Sequence, residues 1–254
     1  MERMALFLLA ILPTVILWKY INGLDKHKEP NGVLTKLFFG GVLAIIITTV
    51  ISILLSFIFT DFFEYEVEFT ITGFLYSILG IGLVEEISKF LMTYAFGWHE
   101  KNLDETYDVI LYSMIVALGF ATAENIMYSL NGGFAASFFR IFTAVPGHVI
   151  DGAFMGYFLY LYRINSKNKI NLFLAIAVPS LTHGIYDFIV FTGENVLHVA
   201  IFVVYVIVEF VVAQKLVKKM AKKSQILPLP TICCPNCGCQ MNTRFCINCG
   251  KERQ

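Results

Sequence analysis

The sequence predicts an all-α, polytopic membrane helix bundle of about seven transmembrane helices, followed by a small C-terminal zinc-ribbon module. Three observations lead there. Hydrophobic residues make up 57% of the 254 and charged residues only 15%, with a mean hydropathy of +0.70, whereas soluble domains run nearer one charged residue in four. Apolar stretches of about 20 residues, the length that crosses a bilayer core of ~30 Å, recur from Met4 to Val212. All six cysteines (Cys233, Cys234, Cys237, Cys239, Cys246 and Cys249) fall at the C-terminal end, unlike a disulfide framework spread through a secreted fold. The formal net charge is zero, so no nucleic acid is expected as a partner.

Apolar runs bounded by charges or by Gly, Pro and Asn place the spans at 3–22, 37–60, 70–96, 107–130, 134–162, 171–191 and 195–214. The first reads as a retained helix rather than a signal peptide, because Pro13 is followed by Trp18, Lys19 and Tyr20 and not by a small-residue cleavage site. Pro146 and Gly147 predict a kink within the fifth. Lys19, Lys26, Lys28 and Lys36 in the first loop, Arg163, Lys167 and Lys169 in the fifth, and Lys215, Lys218, Lys219, Lys222 and Lys223 in the tail mark the cytoplasmic side. The second loop, with Asp61, Glu64, Glu66 and Glu68, and the basic-free loops Asn131–Gly133 and Thr192–Asn195, should face outward. Seven spans with the N-terminus outside and the C-terminus cytoplasmic satisfy every loop, in the cell membrane of a prokaryote. The chain then divides into a transmembrane domain (1–215), a basic, Pro-flanked linker (216–230) and a cysteine-rich module (231–254), with no internal repeat.

Ionisable groups at the bilayer centre cost at least about 2.5 to 3.5 kcal/mol each, so those that persist there mark function. Here Glu85, Glu86, Ser88 and Lys89 lie on the third span, Glu124 and Asn125 on the fourth, His148 and Asp151 on the fifth, and His183 and Asp187 on the sixth. Spacings of three or four put Glu85 with Lys89, His148 with Asp151, and His183 with Asp187 on shared helix faces. An Asp one turn from a His can fix its tautomer. Glu85, Glu86, Glu124, His148 and His183 are the candidate catalytic core. Asp151, Asp187, Lys89 and Asn125 are expected to support it, with Lys89 near enough to a span end to snorkel. Counted from the outer ends, Glu124 and His183 should lie roughly 10 Å deep and Glu85 and His148 roughly 22 Å, in a cavity open to the outer leaflet.

These residues resemble the motifs of the PrsW family of membrane proteases, related to the CAAX-processing and bacteriocin-processing peptidases. The family's Glu-Glu-x-x-x-Lys/Arg, Phe-x-x-x-Glu and His-x-x-x-Asp appear in that order as Glu85-Glu86-x-x-Lys89, one residue shorter, Phe120 to Glu124, and His183 to Asp187. His148 resembles the second histidine that related peptidases carry on an intervening helix. The resemblance implies hydrolysis of a peptide bond in a membrane-anchored protein; for the family's namesake the substrate is an anti-sigma factor. Two chemistries remain open. In one, Glu85 or Glu86 is general base to a water oriented by His148, with His183 at the developing oxyanion. In the other, Glu124, His148, His183 and a helix-three Glu hold a catalytic zinc or other divalent metal.

In the tail, Cys234-Pro-Asn-Cys237-Gly and Cys246-Ile-Asn-Cys249-Gly are paired C-x-x-C knuckles eight residues apart, the layout of a structural zinc site. Glycine after each second Cys permits the knuckle turn, and so short a segment needs the metal to fold. The ribbon should recruit a cytoplasmic partner or regulate the enzyme. Beside the protease reading stand an ion- or proton-coupled transporter using the same Glu, His and Asp relay and a zinc-ribbon membrane scaffold or sensor. The absence of an inverted repeat counts against the transporter.

Overall fold

The computed structural model describes residues 2–59, 67–193, 195–224, 232–241, 248, 249 and 251. Seven helical elements follow one another: α1 (Glu2–Leu24), α2 (Asn31–Ile58), α3 (Ile71–Gly97), α4 (Thr106–Phe142), α5 (Ala144–Ile164), α6 (Ile170–Thr192) and α7 (Val196–Lys222). Six of them are long and apolar enough to cross a bilayer; α5, diluted by its polar residues, is the exception. The acidic residues Asp61, Glu64 and Glu66 and most of the linker lie outside the described residues.

Apolar side chains cover the outside, with Val196, Phe57 and Ile71 more than 80% exposed, as befits a solvent of lipid tails. The centre belongs to α4: 83% of its apolar span is buried, against 11% for α2 and for α7. Tyr107, Ile110, Leu111, Met114, Ile115 and Leu118 of α4 are fully buried in the main core with Leu34 and Leu37 of α2. Close helix approach rests on small residues: a Cβ at Gly41 of α2 would lie 1.9 Å from the Val116 carbonyl of α4.

Local chemistry explains several boundaries. Thr70 caps α3 by accepting from the Gly73 amide at 3.0 Å, and Asn195 caps α7 by accepting from the amides of Leu197 and His198. Glu105 and Asp108 form a reciprocal capping box at the start of α4. Helices α2 and α7 are longer than the predicted spans, taking in Lys36 at one end and Lys215 to Lys222 at the other, because Lys and Arg carry good helix propensity past the apolar stretch.

The predicted boundary between the fourth and fifth spans is corrected. Helical backbone continues through Asn131–Gly133 to Phe142. Yet Arg140 reaches back to Glu124 at 2.6 Å, although a straight helix would separate them by about 24 Å, far beyond the reach of two side chains. The helix therefore bends back on itself between these residues, and its last part re-enters the bundle. The break predicted at Pro146-Gly147 falls at Thr143 (φ −122°, ψ −72°). Pro146 instead occupies the first turn of α5, where no backbone N–H is required.

Candidate active site

The site is assembled where α3, α4, α5 and α6 meet. Within α3 a π-helical turn, Ser77–Gly82, interrupts the α-helical geometry just before the two glutamates, a distortion frequent at functional sites. It packs on α6 at glycine distance: a Cβ at Gly184 would lie 2.5 Å from Ile78 Cα, and one at Gly82 would lie 2.7 Å from the Ser180 carbonyl. Only glycines allow this approach, which sets Glu86 beside His183.

Glu86 is fully buried and behind the cavity. Its Oε1 accepts from Lys89 Nζ at 2.6 Å and from His183 Nδ1 at 3.0 Å. Lys89 also lies 3.5 Å from Glu85, donates to His148 Nδ1 at 3.0 Å, and sits 4.3 Å over the Phe120 ring. Lys89 does not snorkel: it is 1% exposed, because a carboxylate, an imidazole and an aromatic face supply inside the bundle what water would supply outside.

His148 does not pair with Asp151, as its helical spacing suggested. Its Nε2 meets Glu124 Oε2 at 2.7 Å, and Arg140 donates to the same oxygen at 2.6 Å. Asp151 turns to α6, accepting from Thr182 Oγ1 at 2.6 Å and lying 4.0 Å from His183 Nδ1. The expected His183–Asp187 pair does form, at 3.4 Å. Asn125 donates to the Ala10 carbonyl of α1 and accepts from Arg140 Nε, tying the bend to the bundle.

The partners assign the histidine protons. An ammonium only donates, so His148 Nδ1 accepts from Lys89 and the Nε2–H donates to Glu124. A carboxylate only accepts, so His183 Nδ1–H donates to Glu86, and its Nε2–H points to Asp187 at 3.4 Å and Glu85 at 3.6 Å. Both histidines border one space: a cavity of about 260 Å³ walled by Glu85, Glu124, His148, Asp151, His183 and Asp187, closed on other sides by Arg140, Tyr186 and Glu209. Glu86 and Lys89 stand outside this lining. His148 is not far along its helix as predicted, because α5 begins only four residues before it.

Sequence reasoning missed Arg140 and Glu209. Glu209 of α7 is 8% exposed and accepts from Tyr205 Oη at 3.0 Å. A lone acid in the apolar run Val203 to Val212, and an Arg beside Phe138 and Phe139, were the available signals.

The donor chemistry suits a divalent cation. Among the described residues, carboxyls of Glu85, Glu86, Glu124, Asp151, Asp187 and Glu209 gather around two permanent cations, Lys89 and Arg140. Glu85 Oε2 and Glu86 Oε2 are buried and accept no hydrogen bond. Glu85, Glu124 and His148 offer donor atoms within 4.8 Å of one another, and so do Glu86, His148, Asp151 and His183. Lys89 already occupies the second group.

Compared with known families, residues 29–213 match the PrsW family intramembrane metalloproteases. The chain belongs to the PrsW family. A protease PrsW from Clostridioides difficile (strain 630) is 35% identical over 215 residues, covering 81% of this chain and 87% of that one. One from Oceanobacillus iheyensis is 32% identical over 180 residues (70% and 80%), and one from Bacillus subtilis (strain 168) is 32% identical over 191 (73% and 82%). No solved structure matches. This PrsW family chain is therefore an integral membrane protein and an intramembrane protease, and the transporter alternative finds no support.

The cysteine-rich module lies beyond the matched region. Two short strands, β1 (Ile232–Cys233) and β2 (Gln240–Met241), pair antiparallel around a knuckle in which Gly238 adopts φ +73° and donates to the Cys234 carbonyl at 2.8 Å. Cys234, Cys237 and Cys249 offer sulfurs within 4.8 Å of one another, with Cys234 Sγ and Cys249 Sγ 3.5 Å apart. The fourth proposed ligand, Cys246, lies outside the described residues.

Proposed function

We propose that this protease cleaves a membrane-anchored regulatory protein, of the anti-sigma-factor kind, in the cavity walled by Glu85, Glu124, His148 and His183. The observation that carries the reading is Glu85: of the two adjacent glutamates it alone lines the cavity, while Glu86 is held behind it by Lys89 and His183. Glu85 is the general base. A water held by its carboxylate loses a proton to Glu85 as its oxygen attacks the scissile carbonyl. Oriented donors, the His148 Nε2–H and the Arg140 guanidinium, receive the developing oxyanion, and Glu85 passes its proton to the leaving amine. This gives His148 the oxyanion role first expected of His183, because Lys89 fixes its tautomer.

Glu86 buttresses His183, and Asp151 and Asp187 orient it from either side. Glu85, Glu124 and His148, whose donor atoms lie within 4.8 Å of one another, would hold a zinc or similar ion, whose chemistry would be to acidify a bound water and polarise a carbonyl. A second, structural zinc is assigned to Cys234, Cys237, Cys246 and Cys249, in a cytoplasmic module that recruits a partner or regulates the enzyme. The basic residues between spans support an N-terminus outside and a C-terminus in the cytoplasm of a prokaryotic cell.

Purified protein in lipid nanodiscs, given a single-pass substrate, tests the site. Glu85→Gln should lower kcat by roughly 10² to 10⁴. Normal cleavage by Glu85→Gln, Glu86→Gln and His183→Ala alike would end the proposal. A chelator arm run on a Cys234→Ser/Cys237→Ser background separates a catalytic ion from the ribbon's: activity that survives chelation there selects the metal-free route.

A further inference from the structure

Hydrolysis consumes one water per peptide bond, and a site ringed by lipid-facing helices needs a way to obtain it. A second cavity, of about 320 Å³, lies beside the first, between α2 and the π turn of α3. Its α2 wall is Thr48, Ser52 and Ser56, and Glu85 and Ile81 line both cavities. The three hydroxyl residues are four apart and so share one face of α2 over about 12 Å. Elsewhere the helix offers lipid exposed apolar side chains, among them Ile46, Val50, Leu54 and Phe57.

Hydroxyls on membrane helices commonly serve as interhelical glue, but these do not. Thr48 Oγ1 is buried with no hydrogen-bond partner, and Ser56 donates to the Ile53 carbonyl of its own helix at 2.8 Å. At the inner end stands Glu85, a residue only 9% exposed, whose Oε2 lies in ion pairs with Lys89 at 3.5 Å and His183 at 3.6 Å but accepts no hydrogen bond. Hydroxyls without interhelical partners, lined up in a cavity that shares Glu85 with the active site, are what ordered water satisfies. We infer that the α2–α3 groove is the water path of the enzyme, with Thr48, Ser52 and Ser56 leading the hydrolytic water to Glu85. This rests on the reading of Glu85 as the base that activates water, and it separates the water's approach from that of the apolar substrate.

Thiol accessibility tests the path without depending on cleavage. Ser52→Cys, Ser56→Cys, Ile46→Cys and Leu54→Cys are made in the full-length protein in proteoliposomes and treated with a charged, water-soluble methanethiosulfonate. Peptide-resolved mass spectrometry keeps the six native cysteines separate. Cysteines at 52 and 56 should react at least about tenfold faster than those at 46 and 54, and equal rates at all four overturn the path, whatever the hydrolysis data show. In turnover, Ser52→Leu should lower kcat about tenfold with KM unchanged, and Ser52→Thr should restore it. Unchanged kcat in Ser52→Leu also overturns the path. If Glu85→Gln cleaves normally while 52 and 56 label selectively, the base assignment fails and the water-filled groove stands.

Discussion

Two buried clusters of carboxylates in this molecule look alike as sets of ligand atoms but differ in what their neighbours require of them. One is the intramembrane centre around Glu85, Glu86, Glu124, His148 and His183. The other joins the α1–α2 loop to the start of α4, where Asp25, Glu105 and Asp108 bring donor atoms within 4.8 Å of one another. In the second, the carboxylates have structural tasks. Asp108 accepts from the Glu105 and Asp104 amides at 2.6 and 3.1 Å, Ser224 donates to Glu105 at 2.8 Å, and Tyr112 donates to Glu29 at 2.6 Å. The oxygens left over on Asp25 and Asp108 lie at a helix N-terminus, where the macrodipole favours negative charge. The intramembrane centre has no such backbone to cap. Its members come from four helices, two are histidines, and Glu85, Glu124, His148 and His183 all line one cavity. Proximity of acids thus says little about function; acids and histidines that line open space rather than cap backbone say more.

Removing one member from each cluster should sharpen that contrast. The largest effect is expected for Lys89→Met, which leaves Glu86 as an uncompensated buried charge and should cost roughly 3 to 5 kcal/mol in chemical denaturation; the double variant Lys89→Met/Glu86→Leu should recover most of it. Arg140→Gln should lower kcat by about 10² to 10³, as expected for loss of one oxyanion donor, and should also lower the thermal midpoint because Glu124 loses its buried ion-pair partner. Asp108→Ala, by contrast, should cost about 1 kcal/mol of stability through the lost cap and leave kcat unchanged.

The last effect concerns pH. Burial pushes the Glu29 carboxyl up to about 7, partly opposed by the hydrogen bond from Tyr112. Its folded-state value lies above its unfolded one, so its contribution to stability is complete below about 4.5 and is lost as pH rises to about 7. The thermal midpoint should fall across that window, and Glu29→Gln should flatten the fall; an unchanged slope would remove Glu29 as its cause.

The helices were legible in the sequence because each span must satisfy its own backbone in lipid, which makes apolar length a direct signal. Glu124, His148 and His183 stood out for a related reason: ionisable groups are too costly in an apolar run to be incidental. Arg140 could have been found by the same rule but was hidden by the assumption that Asn131–Gly133 separates two spans. Spacing on one helix foretold the His183–Asp187 contact and failed for His148 and Asp151, because cross-helix partners, Glu124 and Thr182, made better bonds.

What the sequence by itself determined is a polytopic helical membrane protein whose third to sixth spans carry acids and histidines in the order of the PrsW family's motifs, with a cysteine module after them. Those features are local: apolar length, residue type and spacing along one chain. The tertiary structure decided which of two adjacent glutamates meets the cavity, which partners each histidine meets, that Lys89 is buried as a counter-ion, and that α4 bends back to bring Arg140 to Glu124. Each depends on atoms contributed by segments distant in the chain, through a π turn, a glycine contact and a helix bend that periodicity does not encode.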